Sequence, residues 1–289
     1  MKTAFLFPGQ GSQIVGMGKE LYNNFKIAKM TFEEVDDSLS THLSKIIFEG
    51  PEAELGMTEN TQPAIMATSI AYYRVHKEEN GELPTYFAGH SLGEYSALVA
   101  AESMTLSDAT KLLNIRGKAM QSACKEYNSG MAAILGLQIN EVKQIIEDLI
   151  DSNKYVCEIA NHNSKEQIVI SGHEEAVDIV INHCKTLPKK AVKLKVSAPF
   201  HSSLIKEAEY IMRDYLQDVK ISEPIKPVIA NVTADLFGDE NHIKELLAQQ
   251  TTAMVKWYDI MNFIISHDIN NIKEFGHGNV LTNLFKRHL

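Results

Sequence analysis

The segment Gly89-His90-Ser91-Leu92-Gly93 has the pattern G-x-S-x-G, a serine between two glycines at fixed spacing. It follows the short apolar run 85–88 and precedes a helix-forming stretch, which is the strand–turn–helix context in which this pattern exposes a nucleophilic serine. The backbone N–H of Leu92, at the start of that helix, is then available as an oxyanion donor. We therefore predict that Ser91 is a nucleophile; the alternative is a serine in an ordinary tight turn.

Arg116 lies in the segment 106–127, where it shares one helical face with apolar residues. A guanidinium on a face directed at the core is costly unless an anionic group meets it. Two interpretations stay open: a structural ion pair with an internal carboxylate, or a fork that binds a substrate carboxylate through two parallel hydrogen bonds. The apolar residues of the same face are Ala109, Leu112, Leu113, Met120 and Ala123.

His201 stands out among eleven histidines, most of which we expect to be surface or structural residues. It follows Pro199-Phe200 in a loop of small residues, VSAPFHSSL, from which the chain can return to Ser91. A histidine in that position is a candidate base. The segment HEEAV at His173 does not match a zinc-binding helix, because its fifth residue is Val177, and we predict no metal site.

The segment FPGQGSQ, residues 7–13, follows the first apolar run of the chain. It matches neither G-x-G-x-x-G nor a Walker loop, which argues against a nucleotide-phosphate cradle. Gln10, between two glycines, can present its backbone N–H to a neighbouring site; the alternative is a plain strand-to-helix turn.

Apolar runs at 3–7, 85–88 and 227–232 predict strands, with helix-forming stretches between the first two. The order indicates an α/β fold with a buried parallel sheet. Between the runs at 85–88 and 227–232 the chain contains a second set of predicted strands and helices. Strands are predicted at 131–137, 155–162, 166–172 and 189–196, with helices at 140–153, capped by Asn140, and at 173–187.

The β-α-β-β-α-β order of this middle stretch is the ferredoxin-like pattern. We predict two subdomains: a parallel-sheet subdomain made of 1–128 and 197–289, and a ferredoxin-like insertion over 129–196.

Composition limits the classes of function. The 289 residues carry 28 Lys and Arg against 37 Asp and Glu, a net charge of −9, which disfavours nucleic acid as a partner. The three cysteines form no CxxC pair, and the chain has no signal-peptide pattern or apolar run long enough to span a membrane. These features predict a cytoplasmic protein that does not interact with membranes, with a monomer as the default.

Six motifs in this order resemble those of the malonyl-CoA:acyl carrier protein transacylases, from about Ala4 to Arg287: FPGQGSQ, GHSLGEYSAL, RGKAMQ, MAAILGL, PFHSSL and a terminal GxxxVLTNL. The resemblance implies a hydrolase-like α/β subdomain with a ferredoxin-like insertion, in agreement with the prediction from the residues. It also implies transfer of a malonyl group from malonyl-CoA to the phosphopantetheine thiol of an acyl carrier protein.

The resemblance implies roles for individual residues. Ser91 matches the nucleophile that takes the acyl group as an ester, and His201 matches its general base. The backbone N–H groups of Gln10 and Leu92 match the oxyanion hole. Gln250, in QQTTAMVKW, matches the residue whose backbone carbonyl orients the histidine.

Three further residues match substrate-binding positions: Arg116, which pairs with the malonyl carboxylate, His90 and Phe200. The phosphopantetheine belongs to the carrier protein, so the resemblance implies no cofactor of the enzyme itself. The pathway, fatty-acid or polyketide synthesis, stays open.

An acidic carrier protein needs a local basic surface on this acidic enzyme. Five lysines near the end of the insertion are candidates, although lysines that protect a strand edge explain them equally well: Lys185, Lys189, Lys190, Lys193 and Lys195.

The rival interpretation is a serine hydrolase or thioesterase, in which an acidic residue lies between the serine and the histidine in the chain. The available acids, such as Asp108, Asp151 and Asp178, fall on polar helix faces or ends, which disfavours that rival.

Overall fold

The computed structural model describes residues 2–125 and 128–289. The predicted segment 1–128 therefore includes three residues outside the described part of the chain: Met1, Glu126 and Tyr127. None of the helices in the described ranges is long and apolar enough to cross a bilayer.

The elements follow one another as β1 (Thr3–Phe7), α1 (Lys19–Asn24), α2 (Lys26–Leu39), α3 (Leu43–Glu49), α4 (Glu52–Leu55), α5 (Thr58–Asn80), β2 (Tyr86–Gly89), α6 (Gly93–Ala100), α7 (Leu106–Ala123), β3 (Ser129–Leu135), α8 (Ile139–Leu149), β4 (Cys157–Ser164), β5 (Gln167–His173), α9 (Glu174–Cys184), β6 (Lys190–Lys193), a 3₁₀ turn (Ser203–Ile205), α10 (Lys206–Gln217), β7 (Val228–Ile229), α11 (Glu240–Gln249), α12 (Trp257–Ser266), β8 (Asn271–Glu274) and α13 (Val280–His288).

The first sheet is parallel, with the strand order β7-β2-β1-β8. Both of its faces are covered, and for this reason β1 is almost continuously apolar. Successive side chains of a strand point to opposite faces, so Phe5 and Phe7 enter one core with α5 and α6 while Ala4 and Leu6 enter a second core with α12 and α13.

The second sheet is antiparallel, with the order β4-β5-β3-β6. Helices α8 and α9 cover one face through a core that includes Ile134, Ile170 and Val177. On the other face Met131 and Val169 belong to a core shared with the end of α7 and the loop at 198–200. The insertion thus packs against the two segments that carry Arg116 and His201.

The predicted fold class, a parallel-sheet α/β unit with a βαββαβ unit, is confirmed. The predicted cap of α8 is wrong: the helix begins at Ile139, one residue earlier, and Gln138 is its N-cap. The reason is a capping box in which the Glu141 carboxylate accepts a hydrogen bond from the Gln138 N–H at 2.7 Å.

Candidate active site

Ser91 lies in the tight turn between β2 and α6, with φ at 52°, in the left-handed region that a non-glycine residue rarely adopts. The two glycines of the motif make the turn sterically possible. A Cβ on Gly89 would come within 1.8 Å of the Gly93 carbonyl oxygen, and one on Gly93 within 2.2 Å of the Phe7 carbonyl oxygen. The turn therefore holds the Ser91 side chain at the carboxyl end of the parallel sheet.

Asn231, which follows β7, stabilises this turn through hydrogen bonds of its side chain. Its side-chain oxygen accepts a hydrogen bond from the Ser91 N–H at 2.7 Å, and its side-chain NH₂ donates to the Gly89 carbonyl at 2.7 Å. Asn231 is fully buried, so both contacts are shielded from water. Asn231 was not predicted as a site residue; its signal in the sequence is a polar residue at the end of a strand predicted to be buried.

His201 meets the nucleophile directly, with its Nε2 2.8 Å from Ser91 Oγ. Its Nδ1 lies 2.8 Å from the Gln250 carbonyl oxygen and 3.1 Å from that of Ala253. Carbonyl oxygens only accept, so Nδ1 must carry the proton, and the Nε2 lone pair is left to accept the Ser91 hydroxyl proton. Two backbone carbonyls thus occupy the place that an acid has in a triad.

The imidazole of His201 is neutral over the ordinary pH range. Burial lowers its pKa to about 3, and the positive charge of Arg116 and the nearby His90 act in the same direction. A neutral imidazole is the form that can take a proton from the serine.

Arg116 is buried on α7 beside the nucleophile. Nη1 donates to Gln62 Oε1 at 2.8 Å, while Nη2 donates to Gln250 Oε1 at 2.7 Å and lies 3.3 Å from Ser91 Oγ. The Nε has no hydrogen-bond partner among the residues that the structure describes. Within residues 2–125 and 128–289, no carboxylate forms an ion pair with the guanidinium, although the charge of the buried Glu94 acts on it without direct contact.

A cleft of about 290 Å³ opens above these groups, between the two sheets. Gln10, Leu92 and Arg116 line it together with Met131 and Asn161 of the insertion. Among the described residues, neither the Gln10 N–H nor the Leu92 N–H donates a hydrogen bond. Both backbone donors therefore border the cleft with free hydrogen-bonding capacity.

His90 and Phe200 also line the cleft. The Nε2 of His90 contacts Asn163 Oδ1 at 2.8 Å. The residue packs against Gly9, where a Cβ would come within 2.7 Å of the His90 carbonyl oxygen and 3.1 Å of its ring Nδ1. This close approach brings the FPGQGSQ turn beside the serine. Phe200 is buried in the core under the insertion, next to the base.

Gln250 lies behind the cleft, fully buried, and its side chain is engaged as well as its carbonyl. Its Nε2 donates to the Ser91 carbonyl at 2.8 Å and to Glu94 Oε2 at 2.5 Å. Glu94 is a buried carboxyl on the first turn of α6, and Asn231 N–H donates to its other oxygen at 2.6 Å. Sequence reasoning missed Glu94, although an acid among GEYSALVA is a signal comparable to Arg116.

Of the five candidate docking lysines, all are exposed, and Lys193 is already paired with Glu174 and Asp178 at 2.7 and 2.8 Å. Lys195 borders the cleft.

The acids weighed for a hydrolase lie elsewhere. Asp108, on the first turn of α7, accepts a hydrogen bond from the hydroxyl of the N-cap Thr105. Asp151 follows α8, and Asp178, on α9, pairs with Lys193 of β6. The described ranges contain no group of three or more His, Cys, Asp or Glu side chains placed to hold a metal ion.

Comparison with known proteins gives a consistent result. Residues 4–262 match the family model described as the acyl transferase domain. The malonyl CoA-acyl carrier protein transacylase of Bacillus subtilis is 42% identical over 99% of this chain and 90% of its own.

Two solved structures have nearly the same fold. An acyl-carrier-protein S-malonyltransferase from Bartonella henselae has a TM-score of 0.96 at 45% identity, covering 100% of this chain and 93% of its own. A malonyl transacylase in complex with its type II polyketide acyl carrier protein has a TM-score of 0.96 at 36% identity, again over 100% and 93%.

Proposed function

The chain belongs to the acyl transferase domain family and is an acyltransferase, and from this premise we propose that it moves a malonyl group from malonyl-CoA to an acyl carrier protein through an ester on Ser91. The observation that carries the proposal is the contact of Ser91 Oγ with the neutral His201 at 2.8 Å, beside a buried arginine that forms no ion pair with any carboxylate in the described part of the chain.

In the first half-reaction Ser91 Oγ attacks the thioester carbonyl of malonyl-CoA while His201 Nε2 takes the hydroxyl proton. The backbone N–H groups of Gln10 and Leu92 stabilise the oxyanion of the tetrahedral intermediate. The C–S bond then breaks, the histidine returns the proton to the thiolate, and coenzyme A leaves as the free thiol.

The second half-reaction reverses these roles. The phosphopantetheine thiol of the carrier protein gives its proton to His201 and attacks the seryl ester. When the ester bond breaks, Ser91 Oγ recovers the proton and the malonyl group leaves on the carrier as a thioester. The enzyme returns to its starting state without a cofactor of its own.

Arg116 binds the malonyl carboxylate in this proposal. The guanidinium is fixed by two neutral amide oxygens, and it lies 3.3 Å from Ser91 Oγ. A carboxylate on an acyl group attached to that oxygen comes within reach of the fork. An acetyl group offers no such contact, which gives the enzyme its preference.

The relatives support the partner. The Bacillus subtilis protein is named for malonyl-CoA and acyl carrier protein, and one structural neighbour was solved with a polyketide carrier. Fatty-acid synthesis and polyketide synthesis therefore remain the two candidate pathways. Lysines 185, 189, 190, 193 and 195 stay candidates for the docking surface, with protection of a strand edge as the alternative, and a cytoplasmic monomer stays the predicted state.

The test is intact-protein mass spectrometry after brief incubation with malonyl-CoA, with acetyl-CoA in parallel, followed by addition of a holo carrier protein. We expect one malonyl adduct on the wild type, none on Ser91→Ala, and transfer of the adduct to the carrier. Carriers from fatty-acid and polyketide systems, supplied separately, distinguish the pathways. Loss of the adduct to water at the same rate with and without a carrier would identify a hydrolase instead.

A further inference from the structure

Glu94 is a carboxyl group that the acyl-transfer steps do not use. It is 1% exposed and lies one residue beyond the motif glycine, on the first turn of α6. A buried carboxylate without a function in the reaction needs an explanation, because desolvation of the charge is unfavourable. Its two oxygens have different partners, and these lead to the nucleophile and to Arg116.

The first oxygen, Oε1, accepts from the backbone N–H of Asn231 at 2.6 Å. The side chain of Asn231 in turn holds the Ser91 N–H and the Gly89 carbonyl. This branch supports the strained turn that carries the nucleophile.

The second oxygen, Oε2, accepts from Gln250 Nε2 at 2.5 Å, and the same NH₂ donates to the Ser91 carbonyl at 2.8 Å. Both of these partners are acceptors. They fix which end of the Gln250 amide faces them, because only the NH₂ end can donate. The oxygen of the amide must then point the other way, where it accepts from Arg116 Nη2 at 2.7 Å.

We propose that Glu94 is a positioning residue that fixes the Gln250 amide with its oxygen toward Arg116, and so orients the guanidinium for the malonyl carboxylate. The inference rests on the proposed function. It assigns a substrate preference to a residue that does not contact the substrate, acting through one amide.

Two observations on the charge state of Glu94 disagree, the hydrogen-bond geometry and the effect of burial on its pKa, and we assign the carboxylate on the geometry. Both carboxyl oxygens face N–H donors, which is the arrangement of a carboxylate, because a protonated oxygen would need an acceptor. Burial raises the pKa of Glu94 to about 8, while the two hydrogen bonds and the charge of Arg116 act in the opposite direction. One intervening amide, that of Gln250, keeps the two charges from direct contact, so the guanidinium is not held in an ion pair although the charge of Glu94 acts on it.

The decisive variant is Glu94→Gln, which preserves the shape of the side chain but replaces one of the two carboxylate oxygens with an NH₂ group. Only one acceptor then remains for the two donors. The new amide can satisfy Asn231 with its oxygen only by pointing its NH₂ at that of Gln250. Gln250 must then turn over, presenting NH₂ to Arg116 and losing the Ser91 carbonyl. We expect the ratio of acylation rates with malonyl-CoA and acetyl-CoA to fall about tenfold, as a charge-assisted contact is misaligned.

Asn231→Ala is the matched control, because it breaks the other branch of the network. It should lower acylation by both thioesters equally and leave their ratio within about twofold. A merely structural role for Glu94 predicts that same pattern for Glu94→Gln. An unchanged ratio in Glu94→Gln would therefore overturn the inference.

If Glu94→Gln does not fold, Gln250→Met is measured instead, since it removes the acceptor toward Arg116 while Glu94 remains. A ratio that stays at the wild-type value in this variant likewise overturns the inference. The wild type is assayed in the same experiment. If the wild type forms no malonyl ester, the proposed function has failed. If the wild type forms the ester and the variants show the wild-type ratio of rates, the proposed function stands and only the role assigned to Glu94 is rejected.

Discussion

Two arginines of this molecule differ in what surrounds them. Arg116 is 1% exposed, and its hydrogen bonds go to two glutamine amides and the serine hydroxyl. Arg213, on α10, is about one-third exposed and is paired with two carboxylates, Glu209 at 3.3 Å and Glu245 at 3.1 Å. Arg116, whose burial is the more unfavourable of the two, is thus neutralised less completely by its neighbours than Arg213.

The difference separates a binding site from a structural ion pair. Amide oxygens accept hydrogen bonds from a guanidinium without cancelling its charge, so a cation held in this way still attracts an anion. Carboxylates cancel the charge and leave nothing for a ligand. The cluster around Arg213 joins α10 to α11, and through Glu209 it reaches Thr252, in the turn that presents its carbonyls to His201.

Of the predictions that test this difference between the two arginines, Arg116→Ala has the largest expected effect. The preference for malonyl-CoA over acetyl-CoA should fall about 10- to 100-fold, because a charge-assisted contact of about 1.5–3 kcal/mol is lost. Acylation by acetyl-CoA should persist, since the serine and its base remain. The measurement is the initial rate of ester formation with each thioester by mass spectrometry. A variant that kept the wild-type preference would remove Arg116 from substrate recognition.

Sequence reasoning reached much of this site because the chemistry lies in short, ordered motifs. The two interpretations of Arg116 could not be separated from spacing alone, because its neighbours Gln62 and Gln250 come from distant segments. Glu94 was overlooked for the same reason. Its partners, Asn231 and Gln250, follow it by more than a hundred residues, and only the folded chain brings them together.

The presence of the strands and helices was predicted better than the residues at which they begin and end. Apolar runs and apolar alternation located seven of the eight strands in the described residues, because burial on one or two faces leaves a direct trace in sequence, but β8 (Asn271–Glu274) at the edge of the parallel sheet was missed. The cap of α8 was missed because Glu141 reaches back to Gln138, a side-chain contact that the residue type at 140 does not reveal. The strand order of the insertion likewise depends on long-range pairing.

Arg213→Ala tests the other side of the comparison and should have a smaller effect. We expect a loss of about 1 kcal/mol in the free energy of unfolding, because the pair is partly exposed and Glu209 keeps its contact with Lys206. The malonyl preference should not change. Denaturant unfolding and the two acylation rates are the measurements. A change in preference comparable to that of Arg116→Ala would mean that the cluster acts on the site, and the distinction between the two arginines would fail.

The smallest expected effect is in the pH dependence of the wild type. Acylation by malonyl-CoA should change less than about twofold between pH 5 and pH 7, because the pKa of His201 is lowered to about 3 and the base stays neutral throughout. A base with the ordinary histidine pKa near 6.5 would lose most of its activity over that range. Such a loss in the wild type would contradict the assigned state of the histidine.

The two arginines should differ once more in this profile. The charge of Arg116 helps to lower the pKa of His201, so Arg116→Ala should move the acid limb to higher pH, while Arg213→Ala should leave it in place. Stability gives an independent readout. The unfolded chain binds a proton at this histidine near pH 6.5 and the folded chain only near pH 3, so stability is lost as the pH falls through that interval. Arg116→Ala raises the pKa of His201 in the folded chain and so narrows this pH interval, which should weaken the part of the stability loss that is due to His201. Unfolding curves at matched pH detect the smaller stability loss, and acylation rates detect the shifted acid limb.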